Sequence, residues 1–213
     1  MNWCVNLKKA MKSRSRIAIT GTTSGIGLAL VDRLSGSNDV TQFSRPEFDL
    51  LDDHTLEKID LSGYDILVNN AGADYRRTDF HLHEYGNWRD TVKINLIVPM
   101  YLTQKFITQN TQGTVINITS TGNQILPNTN STVFYRTSKV ALKHFTNEIN
   151  ETHTDFRIVD VEPGKTSTQF GHNAGHEKIT NNKKLNTSDV VQAVIYAIEH
   201  PHITHIRIKN TND

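Results

Sequence analysis

Hydrophobic positions along the chain switch repeatedly between a strand-like and a helix-like period, and the switches outline its elements. Arg16-Ile17-Ala18-Ile19-Thr20 is a short β-branched run of the kind that forms a buried strand, and Leu28–Leu34 reads as a helix. The same reading predicts a strand at Asp39–Phe43, a short helix at Asp53–Asp60 and a buried strand at Asp65–Val68. Apolar positions at Val92, Leu96, Val98, Leu102, Phe106 and Ile107 predict one long helix over Trp88–Gln109, with Pro99 as a kink site. Thr114–Ser120 is the clearest buried strand. Beyond it come a helix from Tyr135 through Ala141, Leu142, Phe145 and Ile149, then a strand at Phe156–Val161. Thr187-Ser188-Asp189 caps a helix at Val190–His200, and His202–Ile208 is the last strand. Strands alternating with helices, without internal repeats, predict an α/β fold with a doubly wound parallel sheet.

Composition narrows the classes of function. The chain has 213 residues, which suits one domain over 16–213 because no linker-like break interrupts it. Residues 1–15 are basic and lack the apolar segment of a signal peptide, so they read as a flexible leader. A net charge of +1 gives no electrostatic footprint for nucleic acid. No apolar run approaches the roughly 20 residues that span a bilayer, so no membrane partner is expected. Cys4 is the single cysteine, which excludes an internal disulfide and argues for a cytoplasmic, reducing location. The Asn-x-Ser/Thr sequences at Asn117, Asn130 and Asn186 then read as chance. His81/His83 and His172/His176 have ligand-like spacings, but no cysteine or third ligand accompanies them, so no metal site is expected.

The first strand runs directly into Gly21-Thr22-Thr23-Ser24-Gly25-Ile26-Gly27 and then into the first helix. Strand, glycine-rich turn and helix form the arrangement that binds a dinucleotide pyrophosphate. Glycines admit the phosphates close to the backbone, and the helix N-terminus offers free N–H groups. With Thr20 the segment reads TGTTSGIG, which resembles the cofactor loop of the short-chain dehydrogenase/reductase family.

Later segments resemble that family in register. Its second strand ends on the residues that select the cofactor. Here they are Ser44-Arg45 with no acid, which favours NADP(H) over NAD(H), since arginine suits a 2′-phosphate. Asp49-Leu50 resembles the pair that lies over the adenine ring. Only three residues separate Arg45 from Asp49, whereas a parallel crossover needs a dozen or more. The family's next edge strand and its crossover helix are therefore expected to be shortened or missing. Asn69-Asn70-Ala71-Gly72 resembles the NNAG element, whose small residues pass close to the cofactor and whose asparagines tie central strands together. Pro163-Gly164-Lys165-Thr166-Ser167-Thr168 resembles the element that grips the nicotinamide end. Gln169–Leu185 reads as a mobile substrate lid, and Ala73–Asn87 as a loop beside the site.

Tyr135 and Lys139 share one helix face, a spacing that alone also suits a solvated surface. An ammonium beside a phenol favours the phenolate, so Tyr135 is expected to titrate nearer neutrality and to serve as a general acid or base. The resemblance adds Ser120 as the catalytic serine at a strand end, with neighbouring Thr119 as its rival. It also adds Asn95 as the holder of a water behind Lys139. The loop between Ser120 and Tyr135 is slightly longer than the family's.

The resemblance implies hydride transfer between a nicotinamide and a carbonyl or alcohol substrate, in a homodimer or homotetramer joined through the two long helices. A non-catalytic NADP-binding regulator and a sugar-nucleotide epimerase or dehydratase share parts of this pattern. An intact Asn95, Ser120, Tyr135 and Lys139 set argues against the first. The short stretch after Thr168 argues against the second.

Overall fold

The computed structural model describes residues 14–75, 80–121, 133–168, 170 and 184–209. Strand β1 (Arg16–Thr20) feeds the glycine turn and helix α1 (Gly25–Leu34). Strand β2 (Asp39–Phe43) is followed by the one-and-a-half-turn helix α2 (Asp53–Lys58) and strand β3 (Ile66–Asn69). After a 3-10 turn at Phe80–Leu82 come α3 (Tyr85–Val92), a π-helical turn at Lys93–Ile97, and α4 (Val98–Gln109). Strand β4 (Gly113–Ile118), helix α5 (Val133–Thr152) and strand β5 (Phe156–Pro163) precede α6 (Thr187–Glu199) and β6 (His205–Ile208).

All six strands pair in parallel, in the order β2-β1-β3-β4-β5-β6. The order reverses at β1, where the chain winds first one way and then the other. Ligands bind at such a switch point in open α/β sheets. As the short spacing after Arg45 requires, β2 is the edge strand, and only α2 lies between it and β3.

Period-two alternation sends neighbouring strand residues to opposite faces. Ile17, Ile19, Ile66, Val68, Ile116, Ile118, Val159 and Val161 pack against Leu30 and Leu34 of α1 and Val190, Val191 and Val194 of α6. Ala18, Leu67, Val115 and Ile158 face the other way, against Leu56, Ile94, Val98, Leu102 and Phe106.

The structure corrects the reading of one uninterrupted helix over Trp88–Gln109. Its start lies earlier, at Tyr85, and its middle is the π-helical turn centred on Asn95. Pro99 has no N–H for the carbonyl four residues before it, which is that of Asn95, so regular α pairing fails there. At α6, helical structure begins within the expected cap. Asn186 holds the cap position, and its N–H donates to the Asp189 carboxylate at 2.8 Å. The last strand is shorter than expected, beginning at His205. Most of the leader, the loop 122–132 and most of the lid, with His172 and His176, lie outside the described residues.

Candidate active site

The carboxyl ends of β1, β3, β4 and β5 open toward one edge of the sheet. At β1, the chain turns on Gly21, whose positive φ of 69° is natural only for glycine. A Cβ there would lie 2.6 Å from the Ala71 Cα, so the glycine turn and the NNAG segment pack backbone against backbone. Asn70 fastens them, its amide donating to the carbonyls of Thr20 at 3.0 Å and Gly21 at 2.9 Å. The Thr20 hydroxyl receives the N–H groups of Asn70 and Ala71.

Helix α1 then starts at Gly25 with the exposed Thr23 and Ser24 before it. Ser24 takes the cap position without a side-chain capping bond. Ile26 packs against the α1–α6 core, and Gly27 is buried under Gly21 and Asn70. These features fit a pyrophosphate, which needs close backbone approach and a helix N-terminus. Thr168 crosses the mouth of this turn: a Cβ at Gly25 would lie 3.4 Å from its side chain. Gly164 is held by its N–H to Ile208, and the Thr166 hydroxyl donates to the Gly164 carbonyl. The glycine turn and the segment after Pro163 thus rim one cleft.

At the β2 end, Ser44 and Thr22 share a hydrogen bond of 2.7 Å, and Arg45 is exposed. Asp49 is also exposed and accepts the Leu51 N–H. Leu50 is buried in the core beneath it rather than lining open surface.

Three chemistry-bearing side chains meet farther along the edge. Ser120 follows β4, and its hydroxyl hydrogen-bonds Tyr135, so the lengthened loop still brings the two together. The neighbouring Thr119 hydroxyl turns the opposite way, into the sheet, and donates to Asp160. Lys139, one turn after Tyr135 on α5, is buried and places its Nζ 5.9 Å from the centre of the Tyr135 ring. That ammonium donates to the Ile118 carbonyl at 2.8 Å. Phe170 lies across Tyr135, with ring centres 5.3 Å apart.

The electrostatics differ from the expectation of a near-neutral tyrosine. Burial pushes the Tyr135 phenol up to about 12, the Ser120 hydrogen bond opposes this, and the charge of Asp74 adds to it. Burial also brings Lys139 down to about 8, against the pull of Asp160. Desolvation is the largest influence on both groups, and the half-buried Tyr135 sits against the buried Lys139.

Asn95 is fully buried, but its amide is already engaged. It donates to the carbonyls of Ala73 at 2.5 Å and Thr91 at 2.7 Å, and it accepts the Ala73 N–H. Its visible work is to fasten the irregular segment after Gly72 to the π-helical turn. Of the paired asparagines, Asn69 ties strands, donating to Asn117 at 2.8 Å.

The loop 73–87 carries an aromatic group that sequence reading left unresolved. Trp88 stacks on Phe134, beside Phe80 and His83. Sequence reading also passed over Asp74, Phe170 and the acidic pair Asp160 and Glu162. The pair's alternation on β5 was its only linear signal.

Comparison with known proteins agrees with this fold. A family model described as short chain dehydrogenase matches residues 39–179. Dehydrogenase/reductase SDR family member 11 from Homo sapiens is 32% identical over 180 residues, spanning 76% of this chain and 67% of that protein. An uncharacterized oxidoreductase from Staphylococcus epidermidis is 24% identical over 92% of this chain and 96% of its own. Among solved structures, a closed serine dehydrogenase complexed with NADP+ superposes with a TM-score of 0.79 at 21% identity, over 93% of this chain and 96% of that one. A short-chain dehydrogenase from Sphingobium yanoikuyae in complex with NADPH gives 0.78 at 17% identity, over 91% and 87%.

Proposed function

The chain belongs to the short-chain dehydrogenase/reductase family, and on that premise we propose that it transfers hydride between NADP(H) and a carbonyl or alcohol substrate, with Tyr135 as general acid and base. The hydrogen bond between Ser120 and Tyr135, with Lys139 one turn beyond, carries this reading. The nicotinamide, when bound, supplies or accepts the hydride. The pyrophosphate is assigned to Gly21, Thr23, Ser24, Gly25, Ile26 and Gly27, and the 2′-phosphate to Ser44 and Arg45. Asp49 takes the adenine end, and Leu50, expected beside it, is buried in the core beneath. Asn70, Ala71, Gly72, Pro163, Gly164, Thr166 and Thr168 line the remainder.

With its pKa pushed up to about 12, Tyr135 is a phenol at neutral pH, the form that donates a proton during reduction. Ser120 donates to the substrate oxygen as negative charge grows on it. Lys139, lowered to about 8, is mostly an ammonium at neutral pH. Its charge favours the phenolate that oxidation of an alcohol requires. Asn95 fixes the turn behind these groups.

The family reading extends to a homodimer or homotetramer in the cytoplasm. Exposed Ile97, Val133 and Val140 on the α3–α5 side support the first, and the lone Cys4 the second. No helix among the described residues is long and apolar enough to cross a membrane.

The test is a cofactor-coupled screen of carbonyl and alcohol substrates with NADPH and with NADH. Tyr135→Phe should bind NADPH normally and lose turnover about a thousandfold. Retained turnover in that variant would remove Tyr135 from the chemistry.

A further inference from the structure

On the sheet face covered by α5, the carboxyl half of β5 carries two fully buried acids, Asp160 and Glu162. Lys143, one turn after Lys139 on α5, reaches Glu162 at 2.9 Å and Asp160 at 3.7 Å. From β6, His205 approaches Glu162 at 3.1 Å and Asp160 at 3.5 Å, and Arg207 approaches Glu162 at 3.5 Å. Ligand atoms of Asp160, Glu162 and His205 lie within 4.8 Å of one another, as a metal would require. Lys143 already stands as the cation these carboxylates face. The cluster's other neighbour is the active-site strand.

We propose that Asp160 is a positioning residue for the Ser120–Tyr135–Lys139 site, holding the end of β4 through Thr119 and presenting a fixed negative charge on the Lys139 side. This rests on the oxidoreductase reading above. The Thr119 hydroxyl donates to Asp160, and the Thr119 N–H donates to the Val161 carbonyl at 2.9 Å. Thr119 sits between the two groups that matter. The carbonyl before it, of Ile118, accepts the Lys139 ammonium, and the residue after it is Ser120. One buried bond therefore fixes the acceptor of Lys139 and the hydrogen-bond partner of Tyr135 together. Among the described residues, the remaining oxygen of Asp160 is buried without a hydrogen-bond donor, and Lys143 and His205 lie 3.7 and 3.5 Å from it. The basic side chains around it are Lys143 and His205, with Lys139 beyond Thr119. Glu162 adds a like charge from its own strand.

Asp160 favours the ammonium form of Lys139, which burial opposes. Removing the charge lowers the lysine's pKa further, so the ammonium is lost at lower pH. Removing only the Thr119 hydroxyl leaves the charge in place and frees the strand end.

The experiment measures NADPH affinity by fluorescence and turnover across pH for the full chain and two variants. Asp160→Asn keeps an oxygen acceptor for Thr119. It should move the Lys139-dependent limb near pH 8 downward by about one unit. Thr119→Val should lower turnover about tenfold through lost positioning, leave that limb in place and leave NADPH affinity within twofold. An Asp160→Asn profile that coincides with wild type, or a Thr119→Val enzyme with unchanged turnover, would overturn the proposal. If Asp160→Asn does not fold, the Thr119→Val outcome decides alone. A wild-type protein that neither binds NADPH nor turns over any substrate instead overturns the oxidoreductase reading.

Discussion

The two faces of the sheet are built from the same strands yet differ in kind. Toward α1 and α6 the fully buried strand positions are aliphatic: Ile17, Ile19, Ile66, Val68, Ile116, Ile118, Val159 and Val161. Toward α3, α4 and α5 the strands begin aliphatic but become polar at their carboxyl halves: Asn69 on β3, Asn117 and Thr119 on or just beyond β4, Asp160 and Glu162 on β5. Each of these is buried, and most are tied in sequence. Asn69 donates to Asn117, Asn117 to the Thr146 hydroxyl of α5, and Thr119 to Asp160. Buried polar groups are tolerated only when paired, and pairing makes them directional. One face therefore supplies stability without regard to direction, while the other aims Ser120, Tyr135 and Lys139.

Three substitutions sharpen that contrast. Leu30→Ala, on the aliphatic face, should cost about 2–5 kcal/mol in denaturant unfolding while leaving turnover per folded molecule unchanged. A loss of turnover without a loss of stability would dissolve the distinction. Asn117→Ala should cost less, about 1–3 kcal/mol, since it removes one hydrogen-bond partner each from Asn69 and Thr146 without opening a large cavity. Unlike Leu30→Ala, it should also slow turnover, because Asn117 lies three residues before Ser120. Equal kinetics for the two variants would show that the polar layer is only structural. Arg45→Ala lies outside both layers and should leave the unfolding midpoint unmoved. Its effect should fall on affinity alone, about tenfold for NADPH and little for NADH, read by fluorescence titration. Equal losses for the two cofactors would remove Arg45 from phosphate binding.

Much of the fold is legible in linear order. Ile17–Ile19, Val68 and Val115–Ile118 announce buried strands, Gly21–Gly27 announces the turn, and the short Arg45–Asp49 spacing announces the trimmed edge. The break at Asn95 was half legible: Pro99 marks where pairing must fail, but not that the helix continues through a π turn.

Tyr135 marks the limit. Its spacing from Lys139 follows from helix geometry, and so did the expectation of a near-neutral phenol. Sequence alone determined which residues share a strand face or a helix face, because those periods are local properties of the backbone. Only the tertiary structure decided how much water each group loses and which distant partners it meets. Ser120 and Thr119 are adjacent in the chain, yet one reaches Tyr135 and the other is sent to Asp160. Adjacent residues at a strand end point to opposite faces, and what waits on each face is set by the packing of α5 and β5. Desolvation likewise grows with everything packed around a group, which is why burial, opposed by the Ser120 hydrogen bond, sets the direction at Tyr135.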